Sequence, residues 1–334
     1  MRPRNGAGAS SALALLILTL FGSCAAAAQE KFRVGIAAPT INMLPMWMAQ
    51  AGGFFKAQGL NVEIVNTEGG SRGLRAVMAG ELQAMNVGLS AVVEANGRGA
   101  DLRLIASSSN TMRFGFFAAA DVKSPADLKG QKVGISSFAS ESDVASILAL
   151  QQLGLSRQDV TVEETGGTLR RLAALKAGEI KATPLNEPAN IMAQQQGLPK
   201  LVDLAEKVPW IFNGVVVSQK YLEQHRESVV RFLKAYLEGT YLALSDERRT
   251  KEVLAKEFKT ADVPVIAASY DDFKRLMPRD AEPSRAGAEN VLAQLPAIGT
   301  RVGSKNVNDY IDSSLIEQLK RDGFFDGLRR KYSR

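Results

Sequence analysis

The sequence is poor in the residues that carry most metal, redox and nucleophilic chemistry. Its 334 residues include one cysteine, Cys24, and one histidine, His225. A lone cysteine excludes a disulfide within the chain. One cysteine and one histidine are also too few ligands for a zinc site built on Cys and His. A Cys–His nucleophilic pair would have to join positions about 200 residues apart. We therefore expect no metal, no cofactor and no catalytic residue.

The chain also lacks a strong charge bias. Its 41 Lys and Arg face 35 Asp and Glu, so the net charge is +6. The basic residues are scattered among acidic ones and do not form a block, which indicates a solvated surface. We expect no nucleic-acid partner.

The chain has one apolar run long enough to suggest targeting, and it lies at the start. Two arginines precede the apolar stretch Ala12–Phe21, and small residues continue to Ala28. This order is typical of a secretory signal peptide, and the run is shorter than the roughly 20 residues that span a bilayer. We predict a signal peptide over residues 1–28 and a soluble periplasmic protein. Lipidation of Cys24 is the alternative.

The most informative feature is an internal repeat. Val34-Gly35-Ile36 recurs as Val133-Gly134-Ile135, and Ala79-Gly80-Glu81 recurs as Ala177-Gly178-Glu179, at offsets near 98 residues. In each copy, short apolar runs alternate with segments of helical periodicity such as Ser142–Leu153. This alternation indicates parallel βαβ units. We predict an α/β fold with two similar lobes, each a mainly parallel sheet flanked by helices.

The pattern changes after about Trp210. Gly214–Val217 reads as a strand and Tyr221–Leu244 as a long helix, and the chain is mostly helical from there to its end. We expect this helical tail to pack on the first lobe, so that two chain segments join the lobes as a hinge. The predicted boundaries are residues 29–119 and 215–334 for lobe 1, residues 120–214 for lobe 2, and crossings near Ala118–Val122 and Phe212–Ser218.

Six loops are the candidate ligand site. Ligands of open α/β sheets bind at the carboxyl ends of the strands, and three such loops in each lobe would face each other across a cleft. The loops are residues 37–42, 67–72 and 87–90 in the first lobe and residues 136–141, 164–169 and 185–187 in the second. The candidate ligand-binding residues on and beside them are Asn42, Leu44, Trp47, Gly70, Ser71, Arg72, Leu89, Ser90, Ser137, Phe138, Ser140, Glu141, Gly167, Thr168, Asn186 and Glu187.

The chemistry of these loops favours an anionic ligand, although each residue also has a structural interpretation. Ser71 could help a helix N-terminus bind an anion or could simply cap that helix. Arg72 could pair with a carboxylate or sulfonate or lie on the surface. Glu141 could contact an amine of the ligand or stabilise its own helix start. Trp47 could stack on a ligand or belong to the core, and Glu187 could face the cleft or begin a helix.

Several motifs resemble those of one protein family. Pro45–Phe55 resembles the opening helix of that family, and Asp127–Ile135 is similar to its Asp-Leu-Lys-Gly-Lys-x-Val-Gly run. Asn186-Glu187-Pro188 resembles its Trp-Glu-Pro motif, with Asn in place of Trp. In order and spacing the chain resembles the periplasmic solute-binding proteins of ABC transporters of the nitrate/sulfonate/taurine type, a group that includes binders of thiamine-pyrimidine precursors. The resemblance implies a type II binding-protein fold, a cleft that closes by hinge motion and delivery to a membrane permease.

We therefore expect a binding protein and not an enzyme. It would capture a small anionic organic solute as a monomer and deliver it to an inner-membrane ABC permease with its ATPase. One alternative is a ligand-sensing module for a membrane receptor. Another is an enzyme resembling the thiamine-pyrimidine synthases, which use His and Cys residues and act in the cytoplasm.

Overall fold

The computed structural model describes residues 29–138, 140–205, 209–296 and 299–333, so the predicted signal peptide and Cys24 lie outside the described residues. The described strands are β1 (Glu30–Ile36), β2 (Leu60–Asn66), β3 (Ala84–Val87), β4 (Leu102–Thr111), β5 (Gly115–Ala118), β6 (Lys132–Ile135), β7 (Thr161–Glu164), β8 (Ala182–Leu185), β9 (Lys200–Asp203) and β10 (Pro209–Ser218). The described α-helices are α1 (Leu44–Ala51), α2 (Phe54–Ala57), α3 (Gly70–Met78), α4 (Leu89–Asn96), α5 (Glu141–Gln152), α6 (Thr168–Ala177), α7 (Ala189–Gln195), α8 (Gln219–Gln224), α9 (Arg226–Ser245), α10 (Glu247–Phe258), α11 (Val263–Leu276), α12 (Arg285–Gln294), α13 (Ser314–Arg321) and α14 (Phe324–Tyr332).

The strands form two sheets of the same design. The first has the order β2-β1-β3-β10-β4 and the second the order β7-β6-β8-β5-β9. In each sheet four strands run in one direction, and the fourth strand in order runs antiparallel to both of its neighbours. Val34 pairs with Ala84, and at the repeat spacing Val133 pairs with Ala182. The predicted fold of two similar α/β lobes is confirmed. We call each sheet with its flanking helices a lobe.

The sheets place the crossings between lobes a few residues from the predicted positions. Strand β5 begins at Gly115 and already pairs in the second sheet, whereas β10 pairs in the first sheet from Pro209 onward. The chain therefore crosses between β4 and β5, near residues 112–114, and again between β9 and β10, which places both crossings a few residues before the predicted Ala118–Val122 and Phe212–Ser218. The reason is that β5 and β10 are the antiparallel strands, which the parallel repeat does not mark. The division into lobes at residues 119/120 and 214/215 stays a proposal.

The helical tail packs on the first lobe, as expected. Phe232 of α9 stacks on Phe32 of β1, with ring centroids 4.7 Å apart, and also on Phe55, at 5.3 Å. The predicted helix over Tyr221–Leu244 is divided into α8 and α9 at His225, which has a non-helical backbone conformation. His225 is exposed and stacks on the ring of Tyr221.

The apolar core consists of two clusters, and one of them joins the lobes. One lies between the first sheet and α1, α9 and the later helices, and the other continues from the opposite face of the first sheet into the second lobe. Phe114 and Phe212 belong to the second cluster and meet edge to face near the crossings, with their centroids 4.9 Å apart. None of the helices in the described ranges is both long and apolar enough to cross a membrane.

Candidate functional site

The carboxyl ends of the parallel strands from both lobes meet around one cavity. Its volume is about 60 Å³. We call it the inner cavity; it is lined by Ala37, Ala38, Thr40, Met43, Gly70, Val87, Gly88, Phe114, Ser136, Ser140, Glu141, Ser142, Thr168, Arg171, Asn186, Phe212 and Asn213. Each of the six predicted loops contributes to this lining, so the convergence of the loops is what the repeat predicted.

Hydroxyl groups form one wall of the inner cavity. The Oγ atoms of Ser136, Ser140 and Ser142 lie 2.8–2.9 Å from one another, and Ser140 also donates to the carbonyl of Ser137. This network fixes the loop between β6 and the start of α5. On the neighbouring helix α6, the hydroxyl of Thr168 is buried at the cavity without a hydrogen-bond partner among the described residues. A buried hydroxyl of this kind can donate to a ligand and accept from it.

Glu141 joins the two lobes. Its Oε1 accepts a hydrogen bond from the backbone N–H of Ser90 at the start of α4, and its Oε2 accepts one from the indole N–H of Trp210, both at 2.8 Å. A methyl group on Gly88 would overlap the Glu141 carboxyl group, so glycine is what lets this carboxyl approach α4. Burial raises the pKa of Glu141 to about 7, and the two N–H donors oppose that rise. Glu141 is thus an inter-lobe contact whose charge changes near neutral pH.

Arg171 places a buried positive charge at the inner cavity. Its guanidinium donates to Thr183 Oγ1 and to the carbonyl oxygens of Gly166 and Pro184, at 2.6–3.3 Å. Within the described part of the chain no carboxylate forms an ion pair with it, and burial alone lowers its pKa to about 9. Since that value lies above neutral pH, the side chain keeps its charge. Without a counterion the charge is costly to bury.

The first lobe fills the equivalent space without a charge. The repeat aligns Arg171 with Gly73 and Thr183 with Met85. A side chain at Gly73 would overlap the Met85 sulfur, so methionine occupies the space that the guanidinium takes in the second lobe. Packing of this fold therefore does not require a cation there.

A second buried arginine is neutralised. Arg113, on the first crossing, donates to Glu187 Oε2 at 3.2 Å, and Asn190 donates to Glu187 Oε1 at 3.0 Å. Burial raises the pKa of Glu187, the Arg113 charge opposes this rise, and the nearby Asp272 carboxyl adds to it. Glu187 lies outside the lining of the inner cavity, so its observed role is to compensate Arg113.

The structure brings some of the predicted residues together and separates others. Gly70, Ser140, Glu141, Thr168 and Asn186 line the inner cavity. Asn42 is buried between the lining residues Thr40 and Met43, and its amide has no hydrogen-bond partner in the described ranges. A Cβ on Gly167 would lie 3.2 Å from Ala38 of the other lobe.

The other predicted residues lie away from the inner cavity. Leu44, Trp47 and Leu89 are core residues, because the helices that begin there turn these side chains inward; Trp47 meets the Phe258 ring edge to face. Arg72 is exposed and donates to the carbonyl of Glu68, in the loop just before α3. Ser90 contributes its backbone N–H to Glu141.

Ser71, Ser137 and Phe138 lie at the edge of the cleft. Ser71 Oγ donates to the carbonyl of Phe138 at 2.7 Å, and a Cβ on Gly69 would come within 3.2 Å of Ser137. These contacts join the two lobes beside the inner cavity.

The sequence did not single out several lining residues. Phe114 lies on the first crossing, and Phe212 and Asn213 lie in β10, the antiparallel strand that the parallel repeat does not mark. Arg170 and Arg171 are adjacent arginines, and the sequence alone does not show that Arg171 is buried whereas Arg170 is exposed. A signal existed: Arg171 breaks the apolar pattern at a position where the first copy of the repeat has Gly73. Among the described residues, no group of three or more His, Cys, Asp or Glu is arranged to hold a metal ion.

Comparisons with known proteins agree with this geometry. The sequence profile of the family described as NMT1/THI5 like matches residues 40–249. The riboflavin-binding protein RibY of Chloroflexus aurantiacus is 31% identical over 210 residues, which cover 60% of this chain and 58% of that protein.

Solved structures show the same fold. The aliphatic sulphonate-binding protein SsuA of Escherichia coli superposes with a TM-score of 0.65 at 21% identity, covering 86% of this chain and 99% of that one. The nitrate-binding protein NrtA of Synechocystis PCC 6803 superposes with a TM-score of 0.68 at 13% identity, covering 87% and 88%. Both are periplasmic binding proteins. This chain has their fold, and it belongs to the NMT1/THI5-like family.

Proposed function

We propose that this protein captures a small anionic organic solute between its two lobes and delivers it to an inner-membrane ABC permease with its ATPase. The observation that carries the proposal is Arg171, a buried cation at the inner cavity without a carboxylate partner among the described residues. Because the first lobe packs the equivalent space with Met85, the charge has a role other than packing. A bound anion would supply the missing counterion.

The surroundings of Arg171 suit an anionic head group. Thr168 offers an unpartnered hydroxyl, and Ser136, Ser140 and Ser142 offer a rigid hydroxyl network near the start of α5. Helix starts carry free N–H groups and a positive dipole end, which favour anions. Below pH 7 the carboxyl of Glu141 gains a proton, so its negative charge no longer opposes an anion.

The relatives support recognition without catalysis. One is named for binding riboflavin, and the structural neighbours are named for binding sulphonate and nitrate. We propose export to the periplasm through the predicted signal peptide, where a permease would receive the solute.

The variant Arg171→Met tests the anionic site, because it reproduces the apolar filling of the first lobe. We expect organic anions that raise the thermal midpoint of the wild-type protein in a thermal-shift screen to lose their effect in this variant. Arg170→Met is the matched control, since Arg170 is exposed and lies 4.0 Å from Glu68; it should respond like the wild type.

Arg171→Lys keeps the charge and should retain part of the response, which separates loss of charge from loss of packing. The anionic site is refuted if Arg171→Met folds and is stabilised by the same anions to the same extent as the wild type.

A further inference from the structure

A second cavity lies beside the inner cavity, also between the two lobes. Its volume is about 400 Å³. We call it the outer cavity; it is lined by Ser71, Leu74, Arg75, Met78, Ala91, Glu94, Ala95, Arg98, Ala100, Phe138 and Glu164. Helices α3 and α4 of the first lobe supply most of this lining, and the loop of Phe138 and the end of β7 close it from the second lobe.

The outer cavity gathers exposed apolar side chains. Within the described ranges the exposed large hydrophobic residues are Met78 (48%), Phe138 (49%) and Val263 (71%), and the first two lie on this cavity. Leu74 and Ala91 add a buried apolar wall. Clustered apolar surface of this kind marks a place where another molecule is bound.

A thin contact separates the two cavities. Gly70 and Ser140 line the inner cavity, whereas their neighbours Ser71 and Phe138 line the outer one. The hydrogen bond from Ser71 Oγ to the carbonyl of Phe138 joins the lobes at this boundary. Parting of the lobes would break this bond and would open the two cavities to each other.

The volumes of the two cavities indicate which part of a ligand each could hold. At about 60 Å³, the inner cavity is far smaller than the roughly 300–1,000 Å³ of most organic-ligand sites. It has room for a head group, whereas the outer cavity falls within that range. The inner cavity combines apolar side chains with the serine hydroxyls and the Arg171 charge. The outer cavity has no serine cluster, and its apolar wall is accompanied by Arg75, Glu94, Arg98 and Glu164.

We propose that the outer cavity is the subsite for the apolar body of the solute, so that the ligand is an amphiphilic anion. Its anionic head lies in the inner cavity near Arg171, and its hydrocarbon or aromatic body lies against Met78, Leu74 and Phe138. This inference rests on the proposed function, because it needs the anionic head to bind at the inner cavity.

Chain length is the direct probe. The straight-chain carboxylates from acetate to octanoate and the matching alkanesulfonates are titrated calorimetrically into the exported protein. Burial of each methylene should strengthen binding about three- to fourfold until the outer cavity is filled. Equal affinity for short and long chains would overturn the subsite while leaving the anionic site intact. Failure of every anion to bind would instead overturn the proposed anionic site, and the subsite with it.

Variants on the exposed wall locate the effect. Met78→Ser with Phe138→Ser should weaken octanoate binding on the order of tenfold or more and leave acetate unchanged. Val263→Ser is the matched control, because it removes an exposed apolar side chain outside both cavities, and it should change neither affinity. Two results would show that one molecule does not span the two cavities. One is octanoate affinity that the double variant leaves unchanged, and the other is octanoate affinity that Arg171→Met leaves unchanged.

Discussion

At the scale of single residues, the two buried arginines of this protein differ in how their charge is met. Arg113 has Glu187 as its counterion, and both side chains are almost fully buried. Arg171 has only neutral acceptors. Removing one partner of a buried ion pair leaves a charge without solvent or counterion, which typically costs more than the intact pair contributes. The first arginine therefore serves the fold, and the second is the one that we propose to meet the charge of a ligand.

The Arg113–Glu187 pair yields a stability prediction. At pH 8 we expect Glu187→Gln to lower the free energy of unfolding by about 3–5 kcal/mol, because Arg113 stays charged and buried. Glu163→Gln is the matched control: Glu163 pairs with Lys132 at 2.9 Å on the surface, and exposed pairs contribute at most about 1 kcal/mol. Denaturant unfolding of both variants measures the difference. Equal losses in the two would contradict a structural role for the buried pair.

At the scale of elements, α5 and α4 meet through the Glu141 carboxyl group. The ordinary pKa of this carboxyl is 4.5, and burial between the lobes raises it to about 7. The folded protein therefore holds a proton that the unfolded chain has already released between these two pH values. The contact is stabilising below pH 4.5, and its contribution falls as the pH rises towards 7.

This sign gives a pH-dependent prediction for Glu141→Gln. The difference in thermal midpoint between the wild type and the variant should change steadily from pH 5 to pH 7.5, with the wild type losing more stability as the pH rises. The amide has one acceptor oxygen for two N–H donors, so the variant also carries a constant loss. The slope is therefore the test, and parallel pH profiles for the two proteins would show that Glu141 does not titrate in this range.

The elements also show how far the sequence alone can predict this structure. The repeat located the parallel strands β1, β3, β6 and β8 and the loops after them, because buried parallel strands are short apolar runs bounded by turns. It did not reveal that β5 and β10 are antiparallel strands, since their pairing depends on the two crossings.

The site was predictable to a similar degree. Loop positions followed from the strands, whereas the roles of Trp47 and Arg171 depend on which way a helix turns each side chain. The same limit applies to Glu141, which a sequence places at a helix start but not against Trp210 of the other sheet.

At the scale of the whole molecule, two lobes of one design differ where they meet the inner cavity. The first lobe supplies Thr40 and Asn213 among glycines and apolar side chains, and the second supplies the serine cluster, Thr168 and Arg171. Contacts such as Ser71 with Phe138 and Glu141 with Ser90 hold the lobes together on both sides of that cavity. A solute that compensates Arg171 would add its own contacts to these and favour the closed arrangement.

Native mass spectrometry of the purified protein shows whether an organic anion occupies the site beside Arg171. We predict a complex whose added mass is released on denaturation as an organic anion. The anion should be retained by Arg170→Met and lost in Arg171→Met. The same adduct in both variants, or a released solute that carries no negative charge, would contradict the account.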